Sequence, residues 1–108
     1  MDYHHLLTAG PQTKWRRIRE LDMKLYSDRQ DDCLRIWVVE VDERFRGKGK
    51  FKDLLHFLKQ AAPYYGLTTI RLMLVMNVRL QRHLKSAGFV VCPMHRRDYI
   101  LRLSTHVK

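Results

Sequence analysis

This chain predicts a single α/β domain in which a mixed, mostly antiparallel sheet is flanked by helices, and three observations carry the prediction. Apolar residues recur with strand character in an early pair and a late pair of segments, each pair spaced as a hairpin. Between the pairs lie two segments whose apolar residues recur at helical spacing. The length of 108 residues, 45% of them hydrophobic, leaves room for one domain and one modest core.

Residues 1–19 read as an N-terminal arm, loose over the first fourteen, with Gly10-Pro11 as a breaker; residues 20–103 form the core and 104–108 a tail. Leu21, Met23 and Leu25 alternate with Asp22, Lys24 and Tyr26, the period of a half-buried strand, and Ser27 to Asp32 reads as a polar turn. Leu34 to Val41 is a second, more buried strand with Trp37 in the core, so residues 20–41 make a hairpin. Phe51, Leu54, Leu55, Leu58, Ala61 and Ala62 define a helix that Pro63 and Gly66 stop. Ile70 to Met76 is nearly all apolar, as for an interior strand covered on both faces, with Met73 and Met76 filling gaps. A short helix over Val78–Ser86, with Leu80 and Leu84 inward, ends at Gly88. Val90–Met94 and Tyr99–Leu103 then close a hairpin around His95, Arg96 and Arg97.

The chemistry is concentrated between Glu40 and Gly49, where a strand end runs into a basic turn that opens a helix. Two glycines one residue apart let backbone approach an anion. The first N–H groups of the following helix have no intrahelical acceptor and point at it. Arg44, Arg46, Lys48 and Lys50 surround the same spot. A dinucleotide fingerprint fails, because the third small residue would be Lys52 and no acidic ribose ligand follows at the right distance. No Walker string exists either. A tight turn with a solvated basic face would explain the charges alone, but not the order of the flanking elements.

The string Arg44, Phe45, Arg46, Gly47, Lys48, Gly49 resembles the Arg-x-x-Gly-x-Gly signature of the GCN5-related N-acetyltransferases. A second segment, from Asn77 to Gly88-Phe89, is similar to that family's later motif, and the element order over residues 20–103 matches its core. The resemblance implies acetyl-coenzyme A as co-substrate. The main chain at Val39, Glu40 and Val41 would pair with the pantetheine arm, and the turn from Arg44 through Arg46, Gly47, Lys48, Gly49, Lys50 and Phe51 would hold the pyrophosphate. Asn77 would sit beside the coenzyme where two central strands splay, with a bulge after the apolar run freeing the strand edge. Acyl transfer to an amine needs a base to remove a proton, because a lysine amine has a pKa of about 10.4. Glu40 is the first candidate and Asp32 the alternative; the bland reading of Glu40 is a solvated strand carboxylate.

Two departures from the family pattern matter. Where many members carry a tyrosine to protonate the departing thiolate, this chain has Leu84, leaving Tyr99 of the closing hairpin or water for that role. Typical members also have a strand and two helices before the central hairpin, whereas about thirty residues precede its second strand here. The acceptor site is therefore expected to be open and suited to a macromolecule, and dimerisation would supply a missing wall.

Net charge is +10, from 21 Lys and Arg against 11 Asp and Glu, which points to an acidic macromolecular partner, a protein acceptor ahead of nucleic acid. No stretch approaches the roughly 18 apolar residues of a membrane span, and the start lacks a secretory pattern, so a cytoplasmic setting without a membrane partner is expected. Cys33 and Cys92 read as reduced thiols in that setting. The six histidines show no metal-ligand spacing beyond Cys92 with His95, two ligands where zinc usually has three or more, so no metal is expected. Two other functions share these features: a basic nucleic-acid-binding module whose turn grips backbone phosphate, and an acetyltransferase-like protein that binds the coenzyme without turnover.

Overall fold

The early alternation becomes a three-stranded antiparallel meander. In the computed structural model, which describes residues 6–8 and 10–103, β1 (Lys14–Ile18), β2 (Met23–Gln30) and β3 (Cys33–Val41) follow one another. Helix α1 (Lys50–Ala61) crosses over to β4 (Thr69–Leu72), which pairs parallel to β3, as a helical crossover connection allows. Then come α2 (Val78–Ser86), β5 (Val90–Val91) and β6 (Tyr99–Arg102). The strands lie in the order β1-β2-β3-β4-β6-β5, and every neighbouring pair except β3 with β4 is antiparallel. No helix among the described residues is long and apolar enough to cross a membrane.

The core lies on one face of this sheet. Met23, Leu25, Leu34, Ile36, Ile70, Leu72, Tyr99 and Leu101 are buried with Leu54, Leu55 and Leu58 of α1 and Leu84 of α2. The two helices lie side by side, with Lys59 Nζ donating to the Ala87 carbonyl at 2.8 Å and the Phe51 and His83 rings 6.0 Å apart. The opposite face is charged and aromatic. Register aligns Trp15 with Tyr26 and Val38, Arg17 with Lys24 and Glu40, and Asp28 with Arg35 and Arg71.

Several sequence expectations need correcting, among them the strand expected over Val90–Met94, which is confined to Val90–Val91 with Met94 exposed. The stretch expected as an arm over residues 1–19 contains strand β1, and Leu6 and Leu7 are fully buried in the core. Arg29 anchors this segment, its N–H donating to the Gly10 carbonyl and its Nη1 to the carbonyls of Leu7 and Tyr65. The turn expected at Ser27–Asp32 is confined to its end, since β2 continues to Gln30 with Ser27 and Asp28 buried; the polar side chains that suggested a turn are held inside the fold. The strand expected over Ile70–Met76 ends at Leu72, and Leu74 and Met76 are 60% and 62% exposed, because neither α1 nor α2 covers the second face. Trp37, expected in the core, is half-buried, and Met76 fills no core gap.

Candidate functional site

Strands β3 and β4 pair only from Cys33–Thr69 to Ile36–Leu72, after which a single further bond joins them, from the Met73 N–H to the Ile36 carbonyl. Two irregularities cause the parting. In β3 the register against β2 passes from Ile36 opposite Ser27 to Val38 opposite Tyr26, so Trp37 is the extra residue of a β-bulge. The bulge reverses the facing of the strand: Leu34 and Ile36 point to the core before it, Val39 and Val41 after it. In the other wall, Leu74 adopts φ +54°, a left-handed conformation costing about 1–3 kcal/mol for a residue with a side chain. Its N–H donates to Asp98 Oδ1 at 2.9 Å and the next N–H, from Val75, to the Arg97 carbonyl at 2.7 Å, so the chain is drawn toward the β5–β6 loop and away from β3. The expected bulge after the apolar run is thus placed one strand earlier. Between the walls lies a cleft of about 300 Å³ bordered by Val38, Val39, Phe51, Met73, Val75 and Asn77, among others, and along it Val38–Val41 have a sheet neighbour on one side only.

Phe51 also borders the next hollow, about 380 Å³, which the glycine turn encloses together with Val41, Phe45, Lys52 and His83. Gly47 and Gly49 have φ of +76° and +75°, and a Cβ on either would project into open space. Gly49 is the residue immediately before α1, so the helix's first free N–H groups open into a space that glycine keeps clear. An anionic pyrophosphate fits this donor set. Its cations are partly committed: Lys50 Nζ pairs with Asp22 at 3.0 Å, and Arg46 Nε donates to the Val41 carbonyl at 3.1 Å. Arg44 and Lys48 are exposed and do not border the hollow, whereas Lys52 and His83, not foreseen, do.

The candidate catalytic residues fall in three different places. Glu40 is exposed beyond the bulge, on the helix-free face, with Lys24 Nζ 3.4 Å from its carboxylate. Asp32 precedes β3 at the end remote from the cleft mouth, where its carboxylate accepts from Thr68 Oγ1 at 2.6 Å and its carbonyl from the Thr68 and Thr69 N–H groups. Tyr99 is buried on the core side of β6, opposite Leu72. Asn77 borders the cleft but also caps α2, its Oδ1 accepting from the Leu80 N–H at 2.9 Å. Leu84 is fully buried core.

What sequence reading missed is a pair of buried carboxylates beneath the helix-free face. Asp28 accepts from Thr13 Oγ1, Arg35 Nε and Nη2, and Trp37 Nε1; Asp98 accepts from Arg71 and the Leu74 N–H. Burial alone would raise both carboxyls, but these hydrogen bonds and the paired guanidinium charges outweigh it and hold both below the usual range. The signal was available: Arg35 and Arg71 each interrupt an apolar strand run, and an arginine partly buried in a sheet calls for a carboxylate. Cys33 and Cys92 are free thiols, the latter 3.6 Å from Arg71. Among the described residues no group of three or more His, Cys, Asp or Glu is placed to hold a metal ion.

No protein-family model and no curated protein matches this sequence. Solved structures are similar in fold. An acetyltransferase of the GNAT, or GCN5-related, family from Staphylococcus aureus superposes with a TM-score of 0.62 at 17% identity, covering 77% of this chain and 60% of that one. The fold is that of the GCN5-related N-acetyltransferases. The ribosomal-protein-S18-alanine N-acetyltransferase of Escherichia coli shares this acetyltransferase fold (TM-score 0.61, 18% identity, 81% of this chain, 64% of that one). So does the IAA acetyltransferase of Bacillus cereus, at 16% identity and TM-score 0.60, over 95% of this chain and 93% of that one. This chain spans 60–64% of the length of four acetyltransferase-fold structures it resembles, the first two among them. Within its described residues, β1 and β2 are joined directly by a 3-10 turn at Arg19–Leu21.

Proposed function

We propose that this protein is an N-acetyltransferase that takes acetyl-coenzyme A as co-substrate and acylates an amine of a macromolecule, with protein as the acceptor class. One observation carries the reading: the half-paired edge at Val38–Val41 and the glycine turn before α1 border two hollows that meet at Phe51. A peptide-like arm ending in a pyrophosphate needs that combination, a strand edge for its amides and a cradle of N–H donors for its phosphates. Nucleic-acid binding would use the charge but leaves the apolar cleft unexplained.

Acetyl-coenzyme A supplies an acetyl group on a thioester; the amine lone pair forms the C–N bond as the C–S bond breaks, one proton leaves the nitrogen and one is taken up by the thiolate. The main chain near Val39, just past the bulge, offers an N–H to polarise the carbonyl. Glu40 is assigned as the base, directly or through water, from the face on which a macromolecular acceptor has access. Asp32 is the weaker candidate because Thr68 occupies it at the far end of the strand. Leu84 has no hydroxyl, so water entering the cleft is the first candidate to protonate the thiolate; Tyr99 of β6, paired with the cleft residue Leu72 of β4 but buried on the core side, is the second. The name of the Escherichia coli neighbour, a ribosomal-protein acetyltransferase, supports a protein acceptor.

Thermal unfolding tests this directly. Acetyl-coenzyme A at about a hundred times its Kd should stabilise the fold by about 2.7 kcal/mol, on the order of 10 °C for a chain of this size. An unchanged melting curve would reject the reading. Glu40→Gln should keep the shift and lose transfer, with the loss diminishing at high pH where the amine is already neutral; a shift with no transfer to any protein amine in the unaltered chain would mean a coenzyme-binding protein without turnover.

A further inference from the structure

We propose that a hollow on the helix-free face of the sheet selects acceptors whose reactive amine is flanked by carboxylates, so that the substrates are acidic peptide segments. This rests on the acetyltransferase reading above and names its acceptor class. The hollow holds about 580 Å³ between Arg35 and Trp37 of β3, Arg71 of β4, Met73, and residues 95–98 of the β5–β6 loop. It shares Trp37, Met73 and Leu74 with the cleft, so what binds there lies next to the bulge, at the end of the cleft away from the glycine turn.

Its charges are unequal. Arg35 and Arg71 are matched by Asp28 and Asp98 at 2.7 Å each, whereas Arg96 and Arg97 are exposed and have no ion pair among the described residues. Arg35 and Arg71 also keep Nη1 without a hydrogen bond among the described residues. The loop that carries the two unmatched arginines is anchored, with the Cys92 N–H donating to the Asp98 carbonyl at 2.8 Å, the Asp98 N–H to the His95 carbonyl at 2.8 Å, and the Arg97 carbonyl receiving Val75. Uncompensated guanidinium groups carried on an anchored loop beside an acylation cleft select carboxylates, for which their forked geometry is suited. No helix of the described core encloses the hollow, which favours a chain segment over a small molecule that must bury most of its surface. A single indole, itself bonded to Asp28, is a poor platform for successive bases.

The test is a peptide panel sharing one reactive amine, with neighbouring positions acidic, neutral or basic. The acidic peptides should have kcat/KM about tenfold above the neutral ones, mostly through KM, and the margin should shrink with added salt. The double variant Arg96→Ala, Arg97→Ala should erase the preference while its melting temperature and its shift with acetyl-coenzyme A stay unchanged. Fluorescence anisotropy of the same peptides, labelled, reads the preference without turnover, so the hollow is tested even if transfer itself fails. Equal affinity across the panel, or a preference that survives in the double variant, overturns the proposal. So does an oligonucleotide that displaces the acidic peptide with equal affinity.

Discussion

Asp28 gathers four hydrogen bonds on a carboxylate with no exposed surface, from Thr13, Trp37 and two nitrogens of Arg35. It thereby ties the segment before β1, strand β2, the bulge residue Trp37 and Arg35 two positions before it to one group, and removing it would leave a guanidinium and an indole N–H without their acceptor. Asp28→Ala should cost about 3 kcal/mol, read as a lower urea midpoint with unchanged slope. The pH dependence follows from the depressed carboxyls of Asp28 and Asp98, which bind fewer protons folded than unfolded. Their stabilisation is complete above the ordinary value of about 3.9 and disappears as pH falls through the folded values, so the melting temperature should be level from pH 7 to 5 and drop below about 4. Asp28→Asn should flatten part of that drop. The arginines of these pairs were visible in the sequence as interruptions of apolar runs. Their partners were not, because Asp28 lies in a polar stretch that local composition assigns to a turn and only the register of β2 against β3 brings it opposite Arg35.

Among the elements, the helices were the most legible. The spacing from Val78 to Ser86, opened by Asn77, gives α2 its observed bounds, and the stop at Pro63 and Gly66 is where the 3-10 turn Ala62–Tyr65 ends α1. The glycine turn was legible too, because a left-handed backbone requirement is written in residue type. Gly49→Val should keep the secondary structure, lower stability by about 1–2 kcal/mol through strain at φ +75°, and abolish the melting-temperature shift with acetyl-coenzyme A by filling the cradle. A retained shift would move the phosphate site elsewhere. The bulge at Trp37 was not legible. Nothing in the run Cys33–Val41 marks a skipped residue, since the skip is a property of pairing with β2.

For the molecule as a whole, the α/β architecture followed from periodicity, but the role of the first residues did not. A polar stretch broken by Gly10-Pro11 looks detached in sequence, yet Leu6 and Leu7 have no exposed surface. Leu7→Ala should therefore cost about 2–5 kcal/mol, a large part of the stability of a domain this small, measured by denaturant unfolding. A cost near zero would make the segment dispensable. The way the sheet is joined has a mechanical consequence. Strands β1, β2 and β3 form one leaf and β4, β6 and β5 the other, and the leaves meet along four paired residues, Cys33–Ile36 with Thr69–Leu72. A seam that short should act as a hinge. Opening it by a few degrees widens the cleft without breaking either leaf, and a ligand lying along Val38–Val41 extends the seam as an extra rung, so the occupied protein is the stiffer one and its slowest-exchanging amides should include those of Ile36 and Met73.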